Sequence, residues 1–236
     1  MSPRLMRFYD ATKPRRWSAL AGGAVVLMVL GATGCAASLT GSTTQVPCPS
    51  AIEAPVLYPG DAWTLRYEDG EHWRQAYEGP TADGLLRGLG AKAPAHYYYD
   101  QTHTVRKVIY QGVALTAATP DFPEIGFAPL RFPLTVGKTW TNAGFSAVDV
   151  LSNETYRVSR CEGVTVPAGT FVAVRIDVSQ SLTRAGVTAG REFTLWYAPR
   201  VKYWVKRAAG RATFWDPVRG WELESFKIDA GVPASK

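Results

Sequence analysis

The chain has 236 residues and three cysteines, with 46% hydrophobic and 12% aromatic residues and a formal net charge of +6. Residues 1–34 contain five of the 26 Lys and Arg residues and one of the 20 acidic residues, so the remaining 202 residues carry only +2. The basic character therefore belongs mostly to the N-terminus, and no Lys–Arg patch indicates nucleic-acid binding. A segment of 202 residues is long enough to bury a substantial core.

The N-terminus has the pattern of an export signal. Basic residues precede an uncharged run over residues 17–34, which ends in Ala32-Thr33-Gly34-Cys35. A basic segment, an apolar run and small residues before a cysteine indicate export followed by lipid attachment.

This stretch resembles a bacterial lipoprotein signal. The resemblance implies that residues 1–34 are removed and that Cys35 is diacylated and becomes the new N-terminus. It also implies that a lipid anchor holds the protein at a membrane outside the cytoplasm. Lipoproteins held at the inner membrane resemble one another in having Asp after the cysteine, so Ala36 is compatible with sorting to the outer membrane if the cell has one.

Two other interpretations of the N-terminus stay open. Ala32 and Gly34 also satisfy the small-x-small rule of an ordinary cleaved secretory signal. The uncharged run has the length of an uncleaved membrane helix, although its four glycines disfavour one.

Residues 35–54 are predicted to be the lipidated cysteine and a flexible tether, because residues 36–45 are small, uncharged or polar. Residues 55–236 are predicted to form one β-rich domain. Two cysteines remain in an exported chain, and a disulfide between Cys48 and Cys161 is the simplest use of them. Two unpaired buried thiols are the alternative.

The domain is predicted to be rich in strands. In residues 171–180 the apolar side chains alternate with polar ones, which is the pattern of a half-buried strand. Val166-Pro167-Ala168-Gly169-Thr170 predicts a hairpin turn before this run. The strand candidates in chain order are Asp61–Tyr67, His72–Glu78, Tyr97–Gln111, Glu154–Val164, Phe171–Gln180, Arg191–Tyr197, Val201–Arg207 and Trp221–Ile228.

Other segments refine this prediction. The apolar face of the last strand switches after Leu223, which predicts a bulge near Ser225. Ala82–Leu89 is the best candidate for a short helix, and the prolines of residues 112–136 predict an ordered loop across the sheet. The predicted fold class is all-β, with a single strongly curved antiparallel sheet or a partly closed β-barrel or sandwich and little helix.

Three blocks resemble a family of uncharacterised bacterial envelope proteins. They are Phe132-Pro133-Leu134-x-Val136-Gly137-Lys138-x-Trp140, Val164-x-Val166-Pro167-Ala168-Gly169-Thr170-Phe171 and Leu195-Trp196-Tyr197-Ala198-Pro199. Blocks of this kind recur in this order in DUF3108-like proteins, and the resemblance covers about residues 55–228. It implies an envelope domain but brings no established activity, cofactor or catalytic residue.

Candidates for chemistry are few. A metal site built from His96, Asp100 and His103 is conceivable, but strand-end residues in contact with solvent explain the same spacing better. Glu222 and Glu224 share a strand face, as two glycosidase carboxylates would, and solvent-facing strand residues do the same. We therefore predict no catalytic residue, no metal and no cofactor.

Aromatic residues are concentrated in the last third of the chain. They either fill the core of a β domain or form a concave surface for an apolar ligand. The residues proposed for such a surface are Trp196, Tyr197, Tyr203, Trp204 and Trp215.

Three functions are therefore considered for the exported chain. The first is a non-enzymatic lipoprotein that binds an apolar ligand, such as a lipid, or an envelope partner protein. The second is a structural or assembly component of an envelope complex, and the third is a hydrolase acting on an envelope polymer.

Overall fold

A computed structural model describes residues 44–89, 95–117, 125–126, 128–147, 150–212 and 218–228. Cys35, the tether up to residue 43 and Trp215 lie outside these ranges. Within them no helix has the length and hydropathy needed to cross a membrane.

The fold is all-β, as predicted. The strands are β1 (Gln45–Val46), β2 (Ala62–Tyr67), β3 (His72–Pro80), β4 (Leu86–Leu89), β5 (His96–Tyr99), β6 (Val105–Tyr110), β7 (Val113–Leu115), β8 (Thr139–Ala147), β9 (Val150–Val166), β10 (Gly169–Arg184), β11 (Val187–Ala198), β12 (Tyr203–Ala212) and β13 (Trp221–Lys227). A short 3₁₀ turn covers Pro199–Val201.

The thirteen strands of the described residues belong to one antiparallel sheet, in which twelve follow the order β1-β9-β10-β11-β12-β13-β2-β3-β4-β5-β6-β7. β8 also pairs with β9. The 17 residues of β9 are long enough to pair with β8 along the first half of the strand and with β1 in the second half. The sheet is not closed, because among the described strands β7 lies at one end and β1 with β8 at the other.

The sheet is strongly curved. The amide of Ala168, in the β9–β10 turn, donates to the carbonyl of Leu223 at 3.0 Å, although β13 lies three strands beyond β10. The ring of Trp63 on β2 stacks on that of Tyr203 on β12, with centroids 4.6 Å apart, although β13 lies between these strands. One continuous cluster of buried apolar side chains forms the core of the domain.

Several local predictions are confirmed. Gly169, with a φ of 132°, forms the predicted turn between β9 and β10. The register of β13 against β2 shifts between Leu223 and Ser225, where the bulge was expected. Tyr197-Ala198-Pro199-Arg200, between two strand candidates, is typical of a tight reversal, and Pro199–Val201 followed by Lys202 in a left-handed conformation makes that reversal between β11 and β12.

Two predictions are wrong. Tyr97–Gln111 is not one strand, because the side chain of Asp100 accepts hydrogen bonds from the amides of Thr102 (2.8 Å) and Thr104 (3.1 Å) and thereby closes a turn between β5 and β6. Ala82–Leu89 is not a helix, since residues 86–89 form β4 between β3 and β5.

Candidate functional site

A cavity of about 310 Å³ lies on the concave side of the sheet, between β3, β5 and the start of β12. Its wall is mostly aromatic, with two polar side chains. The lining residues are Trp73, Gln75, Tyr97, Tyr99, His103, Val105, Pro129, Tyr203 and Trp204.

Strand register brings these side chains together. Gln75 on β3 lies opposite Trp63 on β2, so these two residues share a face of the sheet. Tyr97 and Tyr99 on β5 alternate with residues that face away, and their rings stack at 6.1 Å. The sheet's curvature then brings Tyr203 of β12 to the same place, where its hydroxyl donates to Gln75 Oε1.

Buried rings behind the cavity hold its wall in place. The Tyr77 ring meets the Trp63 ring edge-on at 5.6 Å, and it meets the Tyr99 ring in the same way at 5.4 Å. The Trp63 indole donates to the carbonyl of Val201 at 2.7 Å. Because this donor is fully buried, the bond fixes the ring against the turn that precedes β12.

His103 enters the wall from the β5–β6 turn. Its φ of 61° is left-handed, and the Asp100 hydrogen bonds described above hold the turn in that conformation. The ring lies 5.4 Å from that of Tyr203, and its Nδ1 atom lies 2.9 Å from the Tyr77 hydroxyl. A side chain on a short loop thereby becomes part of the core.

The cavity wall is uncharged near neutral pH. Burial lowers the pKa of His103 to about 4, although the Lys202 carbonyl and the carboxylates of Asp100 and Asp61 act in the opposite direction. Burial also raises the pKa values of Tyr77 and Tyr203 far above the physiological range. The wall therefore offers apolar surface and neutral hydrogen-bonding groups.

The predicted aromatic residues are divided between two places. Tyr203 and Trp204 line the cavity. Tyr197 is 1% exposed and belongs to the core, and the Trp196 indole donates to the buried carboxylate of Glu162 at 2.5 Å. Trp196 and Tyr197 are thus packing residues here, while Trp215 lies outside the described residues.

Other cavity residues were not predicted as ligand-binding. Tyr97 and Tyr99 were visible in the sequence only as part of a strand flanked by histidines. Nothing local to Trp73, Gln75 or Val105 indicated a site, because the curvature of the sheet decides that they meet Tyr203.

The remaining candidates have structural partners. Cys48 and Cys161 form a disulfide, with Cα atoms 5.2 Å apart. Glu222 pairs with Lys206 at 2.8 Å, and Glu224 pairs with His72 at 3.2 Å. Across the described part of the chain, no group of three His, Cys, Asp or Glu residues is suited to a metal ion.

Comparison with known proteins leaves the family open. No protein-family model matches the chain. No curated protein matches it either. The DUF3108-like resemblance therefore stays a prediction.

Solved structures with a similar chain trace exist at low identity. The hypothetical lipoprotein YmcC from Escherichia coli aligns with a TM-score of 0.43 and 15% identity over 74% of this chain and 86% of its own. A protein from Parabacteroides distasonis, described as a lipoprotein, has a TM-score of 0.42 and 11% identity over 76% of this chain and 100% of its own. An exported protein with a YmcC-like fold from Bacteroides fragilis has a TM-score of 0.38 and 12% identity, over 75% and 99%. Similarity at this level does not assign the chain to a family.

Proposed function

We propose that the chain is an exported, lipid-anchored, non-enzymatic protein that binds an uncharged apolar ligand in the cavity lined by Tyr203 and Trp204. The observation that carries the proposal is the uncharged aromatic wall around a space of about 310 Å³. Small-molecule sites are concave, mostly apolar and roughly 300–1,000 Å³ in volume, with a few polar groups that orient the ligand. Gln75 and His103 are the polar groups here.

The place of action is part of the same proposal. The basic segment, the uncharged run and Ala32-Thr33-Gly34-Cys35 support export and lipid attachment at Cys35. A lipid-anchored domain lies close to a source of acyl chains, which are uncharged along most of their length. We infer that the ligand is a lipid or another apolar molecule of the cell envelope.

Native mass spectrometry of the protein purified from its own membrane tests the proposal directly. We expect a retained apolar molecule whose mass exceeds that of the covalent modification. A co-purifying protein in place of a small ligand would instead favour a structural or assembly role in an envelope complex.

A matched pair of substitutions tests the location. Val105→Phe places a larger side chain in the cavity, whereas Val113→Phe adds the same group at a position that is 60% exposed. With the neutral probe N-phenyl-1-naphthylamine, we expect fluorescence enhancement for the wild type and Val113→Phe but little for Val105→Phe. Equal enhancement in all three proteins, with unchanged circular dichroism, would contradict the proposed location.

A further inference from the structure

A second cavity of about 570 Å³ lies beside β2, β12 and β13 and has a different chemistry. Cations and aromatic rings line it together. The residues that matter here are Arg66, Tyr67, Glu68, Lys206, Arg207 and Trp221.

Strand register places an arginine beside two rings. Arg207 on β12 lies opposite Trp221 on β13, and Trp221 lies opposite Tyr67 on β2. The guanidinium carbon of Arg207 is 5.6 Å from the centre of the Trp221 ring and 6.0 Å from that of Tyr67. These distances are within the range of cation–π attraction, so the rings hold the guanidinium in place.

Arg207 differs from neighbouring cations because, within the described ranges, it makes no ion pair, although the Glu68 carboxylate is near enough to act on its charge. Arg219 pairs with Asp69 and Glu71, and Lys206 pairs with Glu222 at 2.8 Å. Among the described residues the guanidinium group of Arg207 makes one hydrogen bond, from Nε to the carbonyl of Arg219 at 2.7 Å.

The described residues therefore supply no acceptor for the two terminal nitrogens of this guanidinium group. Burial lowers the pKa of Arg207, with nearby Arg191 and Arg219 acting in the same direction and Tyr67 and Glu68 acting in the opposite direction. An arginine nevertheless stays protonated in proteins, so a guanidinium cation remains at the cavity.

Arg66 adds a second unpaired cation. It lies opposite Glu222 on the neighbouring strand but is exposed, and it has no ion pair within the described ranges. The cavity wall also contains two carboxylates, of which Glu222 pairs with Lys206 and Glu68 makes no ion pair among the described residues. Among the described residues of the wall, two guanidinium groups without an ion pair against one such carboxylate favour an anion in the cavity.

We propose that this cavity is a second binding site, which takes an organic phosphate through the guanidinium group of Arg207. The planar guanidinium fork matches the oxygens of a phosphate, and a charged hydrogen bond of this kind is stronger than a neutral one. A volume of about 570 Å³ exceeds the needs of an inorganic ion, which leaves the Trp221 and Tyr67 side for the organic part of the ligand. The site is independent of the apolar ligand proposed above.

Calorimetric titration of the full chain in neutral detergent tests the site with defined probes. Glycerol 3-phosphate is compared with glycerol, and dihexanoyl phosphatidic acid is compared with dihexanoyl glycerol. We expect binding of the phosphate-bearing member of at least one pair and none of its neutral partner. Binding of glycerol 3-phosphate indicates a soluble phosphate, whereas binding of the phosphatidic acid alone indicates a lipid headgroup.

Three substitutions locate the binding. Arg207→Gln should weaken it at least about tenfold, the scale of one charged hydrogen bond. Arg219→Gln removes the same charge from the same end of the sheet but lies outside the cavity wall, so it should change affinity less than about threefold. Glu68→Gln should tighten binding, since it removes the opposing carboxylate from an exposed position.

Arg207→Gln is expected to weaken phosphate binding, whereas Glu68→Gln is expected to strengthen it. The test therefore remains decisive even if Arg207→Gln folds poorly. Tighter binding in Glu68→Gln with little change in Arg219→Gln supports the site without that variant. No phosphate binding by the wild type, or equal affinities in Glu68→Gln, Arg219→Gln and the wild type, would overturn the proposal.

Discussion

His103 shows how one residue couples the core to pH. It lies 5% exposed beside Trp63, Tyr77 and Tyr203, where only the neutral imidazole is compatible with burial. The groups that act on it are the backbone carbonyl of Lys202 and the carboxylates of Asp100 in its own turn and Asp61 before β2, the last of which pairs with the Lys202 ammonium at 3.0 Å. These groups favour the protonated ring, but the effect of burial is larger.

Acid should therefore destabilise the fold through His103. Its pKa falls from 6.5 to about 4 on folding, so between these values the unfolded chain binds more protons and the free energy of unfolding rises with pH. The contribution of the neutral His103 ring to the free energy of unfolding is fully present above pH 6.5 and is lost as the pH falls towards 4. The shift corresponds to roughly 3 kcal/mol. Urea titrations at pH 7 and pH 4, compared with His103→Gln, measure it.

The comparison with His103→Gln is necessary because Glu154 also changes the stability with pH. Burial raises its pKa, which contributes a pH dependence of the opposite sign in an overlapping range. Only the difference between the wild type and His103→Gln isolates the imidazole. His72→Gln is the matched control, because His72 lies at the surface beside Glu224. An equal loss of stability in His103→Gln and the wild type between pH 7 and pH 4 would contradict this account.

At the scale of strands, a covalent bond joins the beginning of the fold to its middle. β1 pairs with β9 through Gln45 and Val46, and the Cys48–Cys161 disulfide follows directly. Two residue pairs form a marginal strand interaction by themselves. The disulfide therefore fixes the segment that leads from the predicted tether into the domain.

Removing this bond should destabilise the domain. In the chain-entropy model, a link between residues 113 positions apart stabilises by about 5 kcal/mol, because it restricts the unfolded chain. Guanidinium unfolding of Cys48→Ala/Cys161→Ala against the unreduced wild type measures the loss. Thiol titration of the denatured, unreduced wild type is the control, and two reactive thiols there would show that the bond is not formed.

Strand prediction succeeded where side chains alternate and failed where they do not. Residues 171–180 alternate clearly, and β10 includes them all. β8 was not predicted, because Asn142 is buried and bonds to the carbonyl of Ala128 at 2.9 Å, while Ala143 and Gly144 provide no apolar contrast. The residues before and after Asp100 both have the composition of strands, and they form β5 and β6. The turn between these strands is visible only in the hydrogen bonds that the Asp100 side chain accepts.

The site was less predictable than the fold for a related reason. Pairing in a hairpin follows from neighbouring sequence, but Tyr203 and Gln75 are 128 positions apart and meet only because the sheet curves. The aromatic composition indicated that rings would cluster. It could not distinguish Trp196, which bonds to Glu162, from Trp204, which lines the cavity.

For the whole molecule, membrane attachment should depend on Cys35. The chain after residue 34 has a net charge of only +2. Each basic residue near an anionic membrane surface contributes about 1 kcal/mol to binding, so such a small excess of positive charge binds weakly. Two acyl chains contribute about 0.8 kcal/mol per buried methylene group, which is far more. We therefore expect the Cys35→Ser variant, expressed in the producing cell, to be found in the aqueous phase of a Triton X-114 separation, whereas the wild type is found in the detergent phase. The alternative expected outcome is that the variant remains an unprocessed precursor. Cys48→Ala/Cys161→Ala should stay in the detergent phase, and a wild-type N-terminus without acyl mass on Cys35 would refute the lipid anchor.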